Sequence, residues 1–141
     1  MFSKILVPVD GSDNSYRALD TALFLSEKLG SNITVIHVME DVPVLYIESQ
    51  KLLSELLENY KKERKDILSK CSEIATKKGV TIDTVLLQGN PTSIILDFIK
   101  KEKCDIVIMG SRGMGKFKEI ILGSVSSKIV HHSSCPVMLI R

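Results

Sequence analysis

The sequence predicts an α/β fold, a parallel sheet with helices wound over both of its faces. Three observations carry the prediction. Short runs rich in Ile, Val and Leu recur five times, at 4–9, 32–39, 80–87, 105–109 and 136–140. They are apolar almost throughout rather than alternating, as strands covered on both faces are. Every interval between them contains a stretch with apolar residues at helical spacing, and strands that alternate with helices make parallel sheets.

The elements follow in order. The run 4–9 is the first strand, and Asp10-Gly11-Ser12-Asp13 supplies a turn with side-chain oxygens suited to a helix N-cap, for which Asp13 is the expected residue. Ala18, Leu19, Ala22, Leu23, Leu25 and Leu29 repeat at helical spacing over 15–29, and Gly30 is placed to end that helix. The second strand spans 32–39, and a loop containing Pro43 covers 41–46. A long helix over 49–78 carries a stripe through Leu53, Leu56, Leu57, Tyr60, Ile67, Leu68, Cys71, Ile74 and Ala75, and Gly79 stops it. A strand over 80–87 leads to the turn Gln88-Gly89-Asn90, after which Pro91 suits the first turn of a helix. Ile94, Ile95, Phe98 and Ile99 form the inner face of that helix. The fourth strand spans 105–109, Ser124 caps a short helix to His132, and 136–140 is the fifth strand.

Composition bounds the function. A chain of 141 residues, 44% hydrophobic and 26% charged, is a globular chain of one domain, 1–141, with no repeat or linker to divide it. A net charge of +2 is too small for a nucleic-acid-binding protein, and the densest basic group, Lys61-Lys62-Glu63-Arg64-Lys65, contains an acid and reads as a solvated helix face. No signal-peptide pattern opens the chain and no apolar stretch reaches the length of a membrane span. Cys71, Cys104 and Cys135 are isolated and odd in number, which argues against a disulfide framework and for a reducing cytoplasm.

The richest chemical signal is near the C-terminus. An apolar β-branched run ends in Met109-Gly110-Ser111-Arg112-Gly113, and ten residues beyond Gly113 the chain reads Gly123-Ser124-Val125-Ser126. Glycines let successive backbone N–H groups converge on an anion, and a helix N-terminus adds unsatisfied donors and a positive dipole end. The spacing Gly-x2-Gly-x9-Gly-Ser therefore reads as a phosphate cradle. In the common strand order 3-2-1-4-5, the order reverses between the first and fourth strands, where open sheets bind ligands. Those two strand ends carry Pro8-Val9-Asp10-Gly11 and Met109-Gly110-Ser111, so motif and topology indicate one crevice.

Other patterns carry less. Gly110-x4-Gly115-Lys116 approaches a P-loop, but Phe117 occupies the position where Ser or Thr must hold the metal. Arg112, Lys116 and Lys118 either screen phosphate charge or are exposed loop cations. His131 and His132 point about 100° apart on a helix and do not share an ion, whereas the last helical turn favours both. His37 lies within a strand and reads as a packed residue. Asp10 is the one carboxylate placed at the crevice; no water activator or arginine finger of the kind fast phosphoryl transfer uses accompanies it.

The glycine signature resembles the ATP-binding signature of the universal stress protein family. The resemblance extends over essentially the whole chain, through Val7-Pro8-Val9-Asp10-Gly11-Ser12, Gly89-Asn90-Pro91 and the closing Cys135-Pro136-Val137-Met138-Leu139-Ile140. It implies a three-layer α/β/α sandwich of the Rossmann-like, adenine nucleotide α-hydrolase-like type, with a five-stranded parallel sheet in the order 3-2-1-4-5. An intact signature, here Gly110, Gly113, Gly123 and Ser124, marks the members that bind ATP. On these positions the resemblance places the triphosphate on the backbone of Gly110, Ser111, Arg112 and Gly113 and of Gly123, Ser124, Val125 and Ser126. Ser124 and Ser126 would add hydroxyl donors. Pro8, Val9 and Asp10 would line the adenosine, Val38 would contact adenine, and Met109 would pack near sugar or base. Magnesium or manganese would bridge the phosphates with few protein ligands. The resemblance also implies a homodimer through the last strand, 136–141. The apolar segment 41–50, with Val42, Val44, Leu45, Tyr46 and Ile47, is expected to cover the nucleotide or join that contact. The expected function is ATP-binding stress-response regulation with at most slow hydrolysis. The alternatives are an ATP-independent dimeric interaction module and a slow phosphotransferase.

Overall fold

Strands and helices alternate along residues 1–42, 49–112 and 122–141, which a computed structural model of the chain describes. The expectations placed on Gly113, on Gly115, Lys116, Phe117 and Lys118, and on residues 43–48 lie outside these. In chain order the elements are β1 (Lys4–Pro8), α1 (Asp13–Leu29), β2 (Asn32–Met39), α2 (Gln50–Lys77), β3 (Asp83–Gln88), α3 (Pro91–Lys101), β4 (Ile106–Gly110), α4 (Ser124–His132) and β5 (Val137–Ile140). The sheet has the order β3-β2-β1-β4-β5 and every pairing is parallel. The expected fold class and strand order are those observed.

Alternation along each strand sends side chains to two separate cores. Ile5 and Val7 of β1, Ile33 and Val35 of β2, and Ile106 and Ile108 of β4 pack under Ala18, Leu19, Ala22 and Leu23 of α1 and Leu68, Cys71 and Ala75 of α2. The intervening Leu6, Ile36, Val38, Val107 and Met109 face α3 and α4, which contribute Ile95, Ile99 and Ile129. Burying one such side chain fully is worth about 1.5–3 kcal/mol, so the three layers are held from both sides of the sheet.

Caps set the boundaries, and three differ from the expectation. Ser12, not Asp13, is the N-cap of α1: its backbone is extended and its side chain accepts from the Ser15 N–H at 3.2 Å. Asp13 instead occupies the first turn, where its charge suits the positive dipole end. β3 begins at Asp83 rather than Val80, because the Val80 N–H closes the end of α2 on the Ala75 carbonyl at 3.0 Å. Gly79, at φ +71°, makes the left-handed turn that this closure needs. The N-cap of α4 is Gly123, with Ser124 the first helical residue, and no side chain caps this helix.

Gly110 has a packing reason to be glycine. A Cβ there would lie 2.8 Å from Asn14 Cβ and 3.0 Å from the Asn14 carbonyl carbon, so the first turn of α1 sits directly on the end of β4. That contact seats α1 beside the point where the strand order reverses.

Candidate functional site

β1 and β4 lie side by side, and the chain leaves them in opposite directions, to α1 on one face and towards α4 on the other. A cavity of about 390 Å³ opens at their carboxyl ends, within the size range of small-molecule sites. Its floor is the end of the sheet, Pro8 of β1 with Val9 just beyond it, Ile36 and Val38 from β2, and Met109 and Gly110 from β4.

Hydrogen bonds shape the two polar rims. On the β1 side, Asp10 Oδ1 accepts from the Ser12 N–H at 2.9 Å, a turn that holds the carboxylate at the mouth while Ser12 caps α1. On the β4 side, the Ser111 N–H donates to the Ile140 carbonyl at 2.8 Å, which extends the β4–β5 pairing by one residue. The Ser111 carbonyl then accepts the Gly123 N–H and the Ser126 hydroxyl, each at 2.8 Å. This brings the start of α4 against the end of β4. The first bond within α4 runs from the Ser127 N–H to the Gly123 carbonyl, leaving the amides of residues 124–126 as those a helix cannot pair internally. They belong to cavity-lining residues.

Eleven of the residues expected at the site line this one cavity: Pro8, Val9, Asp10, Val38, Met109, Gly110, Arg112, Gly123, Ser124, Val125 and Ser126. Ser111 is buried and acts through its backbone, as the tether for the start of α4. Ser126 carries a hydroxyl hydrogen already committed to backbone carbonyls, those of Ser111 at 2.8 Å and Gly123 at 3.1 Å, so its side chain braces the rim. Its amide is what it can offer a ligand.

Sequence reasoning missed the opposite wall, formed by His37, Glu40, Tyr60 and Arg64. The sequence pattern puts Tyr60 in the apolar stripe of α2 and Arg64 on a solvated face. The Arg64 guanidinium lies over the Tyr60 ring, 4.8 Å from its centroid, and the Tyr60 hydroxyl donates to the Glu40 carbonyl at 3.1 Å. His37 is only 4% exposed and bonds the Val9 carbonyl through Nδ1 at 2.7 Å. Since a carbonyl can only accept, Nδ1 carries the proton of the neutral ring. Burial pushes the His37 pKa below the ordinary histidine value; the bond to Val9 opposes that shift and the Arg64 charge adds to it. The signal that could have found this wall is the four-residue spacing of Tyr60 and Arg64, which puts both on one side of α2.

The thiols offer no nucleophile to the site. All three cysteines are free, none lines the cavity, and burial pushes Cys71 and Cys104 up to about 11. Among the described residues no group of three or more His, Cys, Asp or Glu side chains is placed to hold a metal ion, and no helix is long and apolar enough to cross a membrane.

Comparison with known proteins matches this arrangement over its whole length. A sequence model of the Universal stress protein family matches residues 1–141. The universal stress protein YxiE of Bacillus subtilis is 36% identical over 149 residues, an alignment that covers 100% of both chains. The structure of the universal stress protein UspA from Lactobacillus plantarum superposes with a TM-score of 0.85 at 29% identity, covering 99% of this chain and 98% of that one. A universal stress protein family protein from Arabidopsis thaliana, solved with AMP bound, shares the fold at a TM-score of 0.72 and 23% identity, covering 98% of this chain and 90% of that one. The strand order, the glycine-rich strand end and the family match along the full chain agree: this protein belongs to the universal stress protein family.

Proposed function

We propose that the chain binds ATP in the cavity at the β1–β4 switch point and works as a nucleotide-responsive regulatory protein of the stress response. The observation that carries this reading is the pairing of two unlike rims across one cavity. The start of α4 presents the amides of residues 124–126 beside the side-chain-free Gly110, a setting suited to phosphate oxygens. The facing rim presents the Asp10 carboxylate, suited to accept from ribose or base, beside the apolar Pro8, Val38 and Met109. The AMP-bound relative supports an adenine nucleotide as the ligand class.

Further parts of the reading follow from it. Magnesium or manganese would be held chiefly by phosphate oxygens and water, with Asp10 and Glu40 the carboxylates that line the cavity. With no water activator positioned among the described residues, hydrolysis is slow at most. Residues 1–141 act as one unit in the cytoplasm. β5 is the outer strand of the sheet and pairs only with β4 among the described residues, so a second copy completes it as a twofold homodimer through 136–141.

Isothermal titration with ATP, with and without magnesium or manganese, tests the site. The informative variant is Ser124→Pro. Proline is well tolerated at the first helical position, and the extended Gly123 before it, at φ −59° and ψ 160°, is compatible with a following proline. The substitution removes one cradle amide and leaves the helix intact. Wild-type binding in the micromolar range, weakened about tenfold or more in the variant, is the expected result, since one charge-assisted hydrogen bond is worth about 1.5–3 kcal/mol. No heat from the wild-type protein, purified free of nucleotide, would end the ATP reading and leave an ATP-independent interaction module.

A further inference from the structure

The three cysteines divide between the two faces of the sheet. Cys71 is fully buried in the core under α1 and α2. Cys104 and Cys135 both pack against the other core, the one under α3 and α4. The fold brings this second pair together at the amino ends of two neighbouring strands. Val107 of β4 stands level with Val137 of β5, and the Val107 N–H bonds the Pro136 carbonyl at 3.0 Å. Just before β4, the Asp105 N–H bonds the Lys4 carbonyl at 3.1 Å, so the chain already follows its strand path there. Counting back along this register sets Asp105 beside Cys135, with Cys104 one residue further. With strands about 4.8 Å apart and a rise of about 3.3 Å per residue, the two cysteine Cα atoms lie roughly 6 Å apart, inside the ~4.4–6.8 Å that a disulfide spans.

Both thiols are free and half-buried. Burial pushes the Cys104 thiol up to about 11, and the Cys135 sulfur near it adds to that rise. Ser133 fixes the other partner. Its hydroxyl donates to the Cys135 carbonyl at 2.9 Å, accepts the Cys135 N–H at 3.2 Å and lies 3.5 Å from Cys135 Sγ.

We propose that Cys104 and Cys135 are a redox-sensitive dithiol, which a peroxide oxidises to a disulfide across the starts of β4 and β5. The inference is independent of the nucleotide reading, since the pair lies at the other end of the sheet from the cavity. Cys135 reacts first, because burial holds Cys104 as the thiol. The Cys135 thiolate forms an S–O bond as the O–O bond of hydrogen peroxide breaks, and the departing hydroxide takes up a proton as water. The Cys104 sulfur then attacks the sulfur of this sulfenic acid. The S–S bond forms, the S–O bond breaks, and hydroxide leaves with the Cys104 proton as a second water. Two thiols thus give up two electrons and one peroxide accepts them. In a reducing compartment such a pair is a reversible signal rather than a permanent staple. The link closes a loop that contains β4 and the start of α4, which carry Gly110, Ser124 and Ser126 of the cavity rim.

The test treats the reduced full chain with hydrogen peroxide, then counts thiols in denaturant and maps the linked peptides by mass. Wild type and Cys71→Ala should each lose two thiols and the mass of two hydrogens, with the link between 104 and 135 and dithiothreitol restoring both thiols. In Cys104→Ser the reaction should stop at a Cys135 sulfenic acid, caught by dimedone on that residue, and Cys135→Ser should keep its thiols. The oxidised wild type should melt higher, by roughly 5 °C or more, as a link that closes a long loop without strain does. A fall in the midpoint would overturn the proposal, since the link would then be forced on the fold. Thiols that survive the peroxide, or that gain oxygen without joining, would overturn it as well. So would a link that includes Cys71, or one between two chains that runs as a dimer on a non-reducing gel. The peptide map of the wild-type protein decides the pairing even where a variant fails to fold.

Discussion

A methyl group added at position 110 would press on Asn14, 2.8 Å from its Cβ and 3.0 Å from its carbonyl carbon. The backbone cannot yield there without lifting the first turn of α1 from β4, so Gly110→Ala should cost about 1–3 kcal/mol. A lowered denaturation midpoint with an unchanged slope would register that cost with no nucleotide present. The same glycine thus answers two demands, close packing behind it and an open face towards the cavity. His37 gives a second residue-level expectation. Its folded-state pKa is lowered, so between that value and the ordinary value near 6.5 the unfolded chain binds more protons than the folded one. The stabilisation is fully present above pH 6.5 and is lost as the pH falls below it. Chemical denaturation across pH 5–7 should show this decline in the wild type, and the slope should flatten in His37→Phe.

At the scale of elements, caps decide more than propensities do. α3 ends by turning through Lys103 at φ +53°, a left-handed conformation that a residue with a Cβ enters at a cost of about 1–2 kcal/mol. The Cys104 N–H reaches back to the Ile99 carbonyl at 3.0 Å across this turn. Lys103→Gly should therefore stabilise the protein by up to about 1 kcal/mol, read as a rise in thermal midpoint. The nine elements of the described residues were legible in the sequence because their apolar spacing is strong and Gly30, Gly79 and Pro91 punctuate it. The errors fell where one hydrogen bond settles a boundary, as at Ser12 against Asp13 and at Val80. The β1 and β4 ends of the cavity were legible because glycine and turn residues have few roles at a strand end. The α2 wall was not. A tyrosine and an arginine on a long helix look like any half-exposed pair until the fold brings them to the cavity that His37 also lines. Ser126 was legible as a residue at the cavity but not in its work, since a hydroxyl donor looks the same in sequence whether it serves a ligand or a neighbouring carbonyl.

For the molecule as a whole, the open question is what completes the sheet beyond β5. Val137, Leu139 and Ile140 are half-buried within one chain and Met138 is 37% exposed. If a second copy pairs here, sedimentation should give twice the chain mass of 15.7 kDa, and Met138→Lys should shift the equilibrium towards the monomer by about tenfold or more. A wild type at the single-chain mass across the micromolar range would remove the dimer from the functional proposal. The tether at Ser111 has a consequence of another kind. Its carbonyl holds both Gly123 and Ser126, so the chain that departs after Arg112 returns to the place it left. One carbonyl thus ties the rim of the cavity to the end of the sheet, so a change at Ser126 would be felt by the ligand site and by the fold together.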